Sequence, residues 1–356
     1  MKKLKMLVVP AVLGMVLVGC GGKKGDESGS TKGSKNNVAN VEVKEGSYVK
    51  LPSDKGKESI ELDLNVKNNS KSKFYVAEDS FYLTEKGKDE KIAAKAMLGS
   101  DMGSLDIYKT VINGDLSPEK SLSGKIFFEI QEGKEYTLNF SSHGFDEKAG
   151  KELEEVEVPL DLKKMEDSKK ALDEPMKAFQ AYMDVVFLNK ENKDYETLVG
   201  NDKAKDQEVI KKEFSKNMKS MIFSANTSDD KMAKAYEQFY KEQSSKFKVE
   251  SEMETRLSDL AVIEVKMSGI NDQSLFTATS KIKEEYYDKT GDFDMEKESE
   301  YLVNNFEKAL KEGQVNHLQD AKVTMTKKDK KWHIELSSDN YYENKQLVSG
   351  FLGKNY

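Results

Sequence analysis

The apolar residues of this chain recur at every second position from about Val41 to Leu162, and a spacing of three and four residues sets in from about Met165. A strand sends alternate side chains to opposite faces, whereas a helix gathers positions three and four apart onto one face. A segment tuned to one period does not bury its apolar set in the other form. The change near Met165 therefore divides the chain into a β part and a part led by helices. A length of 356 residues leaves room for two domains of ordinary size.

In the first part, "ESIELDLNVKNNSKSKFYV" sets Ile60, Leu62, Leu64 and Val66 on one face and Glu61, Asp63, Asn65 and Lys67 on the other. "SLSGKIFFEIQEGKEYTLNF" repeats the alternation with Ile126, Phe128 and Ile130, then Tyr136, Leu138 and Phe140. "EEVEVPLDL" closes with Val156, Val158, Leu160 and Leu162. Short strands separated by Asn-Asn-Ser, Gly-Asp and Glu-Gly turns read as an antiparallel sandwich over residues 41–163. Ala93 to Leu105 does not follow the alternation and is read as a long loop.

In the second part, Leu172, Met176, Phe179, Met183 and Val186 form a stripe at helical spacing, with Pro175 near its start. Two more helices carry Ile210, Phe214, Met218 and Met221, then Met232, Tyr236, Phe239 and Tyr240. A hairpin around Ser258-Asp259 follows, then helices over "SLFTATSKIKEEYYD" and after Asp294, whose carboxylate is placed to cap the second. The last hairpin puts Ala321, Val323 and Met325 on one arm and Trp332, Ile334 and Leu336 on the other, all inward. Helices laid on a small antiparallel sheet make residues 166–356 an α+β domain. Each domain is expected to fold independently.

The first forty residues follow neither pattern. Lys2, Lys3 and Lys5 precede "MLVVPAVLGMVLV", thirteen residues without a charge and short of the roughly 20 that span a bilayer. This is the layout of an export signal. The single cysteine of the chain, Cys20, ends the run. A buried core thiol, an ordinary signal cut and an uncleaved anchor are the competing readings; the flanks, the missing A-x-A pattern and the length weigh against each in turn. Gly21 to Asn40 is mostly Gly, Ser, Lys and Asn, and is read as a flexible tether over residues 20–40. Without residues 1–19 the formal net charge of −7 becomes −10. An acidic surface of this kind argues against a nucleic-acid partner.

"LVGC", Leu17-Val18-Gly19-Cys20, resembles the lipobox of bacterial lipoproteins. The resemblance implies recognition of Leu17, Val18 and Gly19 by a lipoprotein signal peptidase and cleavage after Gly19. It also implies an acylated Cys20, carrying palmitate-type chains, as the link to membrane lipid. The localisation that follows is the extracytoplasmic face of the cell membrane. "IELDLNVKNNSKSKFYVAEDSFYLTEKGK" and "INGDLSPEKSLSGKIFFEI" are similar to the immunoglobulin-like domain of unknown function found in many Gram-positive lipoproteins. The later order, with its terminal "KKDKKWHIEL" strand, is similar to a second lipoprotein domain of unknown function, and more distantly to the nuclear-transport-factor-like fold.

Residues that carry chemistry are sparse. His333 alternates with Trp332 and Ile334 and is expected to face solvent; His143 lies in a turn and His317 in a connection. Ser141 and Ser142 lack the G-x-S-x-G elbow of a nucleophile, and no H-E-x-x-H pair or phosphate-cradling glycine loop occurs. Asp292, Asp294 and Glu296 have the alternate spacing of a calcium loop, but the sixth and twelfth positions hold Lys297 and Val303. The Met and aromatic stripes read as core, with a ligand hollow between helices and sheet as the alternative. Tyr286-Tyr287 and Tyr341-Tyr342 are either recognition residues or covers for the ends of the core. The expectation is a non-catalytic surface lipoprotein without cofactor or metal, binding a protein, peptide or envelope component. A solute-binding lipoprotein or an envelope enzyme is the alternative.

Overall fold

The computed structural model describes residues 33–97, 110–142, 145–146, 151–152, 155–337 and 343–354. The first strands are β1 (Ser34–Lys35), β2 (Ala39–Val49), β3 (Glu58–Asn68), β4 (Phe74–Val76), β5 (Phe81–Glu85) and β6 (Lys91–Ala93). After them come β7 (Gly114–Leu116), β8 (Ser121–Ile130), β9 (Tyr136–Phe140), β10 (Phe145–Asp146), β11 (Lys151–Glu152) and β12 (Val156–Pro159). Two four-stranded antiparallel sheets, ordered β1-β2-β3-β8 and β12-β9-β5-β6, face one another. Their inner faces are the alternating sets read from the sequence. Ile60, Leu62, Leu64 and Val66 meet Phe81, Leu83, Leu138, Phe140 and Val158 in one buried cluster.

Two boundaries differ from the sequence reading. Pairing starts at Ser34, opposite Val41, and Val38 and Ala39 already lie in the core. Asn36 makes this possible, because its Oδ1 accepts from the amides of Val38 and Ala39 at 2.8 and 2.9 Å and turns the chain back on itself. The segment after Ala93 is not wholly a loop in solvent, since Met97 is buried.

The second domain enters through a tight turn at Leu162–Met165 and the short helix α1 (Glu166–Lys170). It continues with α2 (Glu174–Tyr182), widened into a π turn over Met183–Phe187, then α3 (Tyr195–Leu198), α4 (Lys203–Met221) and α5 (Asp229–Lys246). The hairpin β13 (Lys248–Arg256) and β14 (Leu260–Ile270) leads to α6 (Asp272–Thr290) and α7 (Met295–Glu312). The chain finishes with β15 (Val315–His317), β16 (Ala321–Lys328), β17 (Lys331–Ile334) and α8 (Asn344–Phe351). The antiparallel sheet runs β13-β14-β16-β17, with β15 also on β14. Ala261, Ile263, Val265, Met267, Val323, Met325, Trp332 and Ile334 form the layer beneath the helices. Asp294 caps α7 as expected, accepting from the amides of Glu296 and Lys297. Helix α8 has no counterpart in the sequence reading; its Phe351 ring sits edge-on to Phe187, Phe239 and Phe247.

The domains are joined by more than the linker. The turn of the β13–β14 hairpin rests on the outer face of the first sheet. There Leu257 and Val262 pack with Val49, Leu51, Met97 and Phe127 in a third buried cluster. Glu61, on the polar side of β3 by its alternation, is consequently buried.

Candidate functional site

An open cleft of about 540 Å³ lies at this junction, lined by residues 48–52 and 54–59, Leu172, Asp173, Glu252, Met253, Glu254 and Glu264. Domain junctions are a common place for such concavities. Its floor is the meeting of β2 with β13. Lys50 and Arg256 exchange two backbone hydrogen bonds, each 2.8 Å, and the Arg256 Nη1 donates to the Tyr48 carbonyl at 2.7 Å. Burial presses the proton affinity of that guanidinium down, and its Nε has no hydrogen-bond partner among the described residues.

The first wall is "LPSDKGK", Leu51 to Lys57. Pro52 opens one tight turn, and Lys55 (φ 43) and Gly56 (φ 86) take left-handed conformations to close the loop. The buried Asp54 holds it from within. Its Oδ2 accepts from the Leu51 amide at 2.7 Å, and its Oδ1 accepts from the Ser59 hydroxyl and the Lys95 ammonium at 2.6 Å each. These three donors offset the cost of burying the carboxylate and tie the loop to β3 and to Lys95. Glu58, at the loop's end, pairs with Lys169 at 2.7 Å.

The opposite wall belongs to β13 and β14. Lys322 bridges Glu254 and Glu264 at 2.8 and 3.3 Å. Glu252 lies directly across the ladder from Glu264 and is exposed. The cleft thus has an acidic wall facing a wall that carries Lys50 and Lys55.

Beside the cleft, a smaller hollow of about 200 Å³ contains a second polar lock. Lys125 pairs with Glu61 at 2.9 Å and with Asp259 at 2.8 Å, while Glu61 also accepts from the Ser258 amide at 3.3 Å. Burial draws the Lys125 ammonium down, but Glu61 and Asp259 more than reverse this and leave it raised.

The residues singled out in the sequence lie elsewhere. Leu17, Val18, Gly19, Cys20, His143, Tyr341 and Tyr342 fall outside the described residues. His317 is exposed, with its Nε2 3.1 Å from Asp320. His333 is half-buried rather than fully solvent-facing, because Gly200 packs against its ring; a Cβ there would lie 2.1 Å from the imidazole. A shallow hollow beside it is lined by Tyr195, Lys203, Lys328 and Lys331. In the acidic loop Lys297 occupies the space between the carboxylates, 2.9 Å from Asp292. Among the described residues no group of three His, Cys, Asp or Glu side chains is placed to hold a metal. Tyr286 is buried and covers the core, and Tyr287 stacks on Phe293.

A lobed chain with an antiparallel sandwich, an α+β domain and a lipobox-like start defines a class, the two-domain lipoproteins of Gram-positive bacteria. Residues 165–352 match the family described as Domain of unknown function (DUF5105), and the chain belongs to that family. Residues 26–151 match the Domain of unknown function (DUF4352). The chain is 25% identical over 367 residues to the uncharacterized lipoprotein YcdA of Bacillus subtilis strain 168, covering 99% of both. It shares its fold with the crystal structure of the ycdA lipoprotein from that organism at a TM-score of 0.54 and 21% identity, covering 91% of this chain and 99% of the other. The B. subtilis yjhA protein aligns at 14% identity and a TM-score of 0.28, covering 36% of this chain and 97% of its own.

Proposed function

We propose that the protein is a lipid-anchored receptor of the extracytoplasmic face, acylated at Cys20, that recognises an envelope or extracellular ligand in the cleft between its domains without altering it chemically. The observation that carries this reading is the cleft itself, which neither domain forms alone. Its loop is fixed by Asp54 and its floor by the Lys50–Arg256 pair, so binding would order little that is not already ordered. The carboxylates Asp54, Glu58, Glu254 and Glu264 are held by lysines, which suits recognition better than proton transfer. His317 and His333 do not line the cleft.

Two measurements test this. Metabolic labelling with a fatty-acid analogue should mark the wild-type chain and leave Cys20→Ala unmarked; a labelled, membrane-bound Cys20→Ala would end the anchor assignment. For the cleft, the chain from residue 20 with Cys20→Ser and Lys55→Cys carries an environment-sensitive dye. A fraction of envelope extract should shift its emission saturably, and Glu252→Trp, which fills the cleft, should abolish the shift. Equal responses with and without Glu252→Trp, or none from any fraction, would end the cleft reading.

A further inference from the structure

Strand β13 is the outer strand of its sheet and pairs in a ladder only with β14. An antiparallel ladder leaves the N–H and C=O of every second residue on its outer side directed away from the partner. Among the described residues, the backbone groups on the outer side of β13 are engaged only at Arg256, by Lys50. That contact is the start of an antiparallel pairing between β2 and β13. It ends after one residue because the chain turns away at Pro52, which has no N–H to give. The cleft opens where β2 departs, with Glu252, Met253 and Glu254 along one side.

The side chains of this edge specify a partner. Glu250 and Glu252 are exposed at alternate positions and project to the same face. Glu254 and Glu264 share Lys322 and Glu250 lies across the ladder from Lys266, whereas Glu252, across from Glu264, pairs with no cation among the described residues. Like charges opposite one another in a ladder are unfavourable, and a cation from a neighbouring strand relieves them. The bulge between Met253 and Thr255 and the row of carboxylates discourage pairing with a second copy of the same edge. They leave the edge open to a strand of opposite charge.

We propose that the free edge of β13 is a strand-addition site for an extended basic peptide segment, antiparallel to β13, that continues the pairing begun by Lys50 and sets basic side chains against Glu252 and Glu250. The segment's backbone supplies the hydrogen bonds, and its alternate residues supply the selectivity. This rests on the cleft reading above and specifies its ligand.

The test uses the same dye-labelled chain and a nine-residue peptide alternating Lys with Val. Its companions replace Lys by Glu or carry N-methyl groups on every second amide, in both possible phases. The Lys peptide should shift the dye saturably, and the Glu peptide should bind about tenfold more weakly or worse. One N-methyl phase should abolish binding and the other preserve it, because only strand pairing distinguishes the two edges of a peptide. Glu252→Lys should exchange the preference between Lys and Glu peptides. Binding that ignores the N-methyl phase would overturn the proposal in favour of plain charge attraction. If an envelope fraction shifts the dye and the Lys peptide does not, the strand-addition proposal falls and the cleft reading survives. If neither shifts it, both fall.

Discussion

Trp332 and His333, neighbours on β17, divide the labour of one short strand. Trp332 is fully buried, and its Nε1 donates to Glu174 at 3.0 Å, a carboxylate that Lys327 also holds at 2.8 Å. Trp332→Ala should cost about 3–5 kcal/mol in urea unfolding, the usual range for a buried tryptophan; a loss below about 1 kcal/mol would contradict the packing described. His333 should tolerate alanine, but Gly200→Ala should not, since the new methyl would overlap the imidazole. Combining Gly200→Ala with His333→Ala should restore much of the lost stability; strict additivity would place the clash elsewhere. Asp206 offers a test by pH. Burial raises its pKa, against hydrogen bonds from Tyr182 and Asn201 that lower it. The folded state therefore binds this proton more tightly than the unfolded chain, whose aspartates titrate near 3.9. Stability should fall as pH rises from that value through the raised folded one. Asp206→Asn should flatten this limb of a urea-midpoint profile, and parallel profiles would refute the assignment. The inward place of Trp332 was legible because alternation alone determines it. The burial of Glu61 was not, because it depends on Ser258, 197 residues away.

Among elements, the longer strands and helices were legible, whereas β1, read as tether, β15, which holds His317 in a strand rather than a connection, and α8 were not. Eight residues are too few for a helix to persist by propensity alone, and "NKQLVSGF" contains a glycine in its last turn. What stabilises it is tertiary. Leu347, Val348 and Phe351 are buried, and Gly350 lets the helix approach Met267, where a Cβ would lie 2.4 Å from the methyl. Asn344 completes the sheet with its side chain, accepting from the Thr324 amide at 2.7 Å and donating to the Thr324 carbonyl at 3.0 Å. Ending the chain at residue 343 should therefore strip the aromatic cluster of its central ring. The truncated protein should bind a hydrophobic dye and unfold without a sharp transition. A truncated chain that melts as cooperatively as the full one would show that α8 is dispensable.

For the whole molecule, the change of period near Met165 located the two domains but said nothing of how they meet. The cleft was illegible for the same reason, since its residues come from four separated stretches chosen by no local pattern. Phe127 is buried in the cluster that the two domains share. Calorimetry of the full chain should show one unfolding transition, and Phe127→Asp should split it in two by placing a charge in the shared cluster. Two transitions in the unaltered chain would mean that the domains are thermodynamically separate. The course of β2 has one further consequence. It enters at the end nearest the N-terminus and delivers the chain to the cleft floor eleven residues later, a rise of about 37 Å. The dozen residues between Cys20 and Gly33 can add no more than about 45 Å. The proposed anchor at Cys20 would thus confine the cleft to a shell with a fixed ceiling above the bilayer. A basic segment on another membrane protein would meet it only if held at that altitude, whereas a diffusing peptide would meet it at any point in the shell.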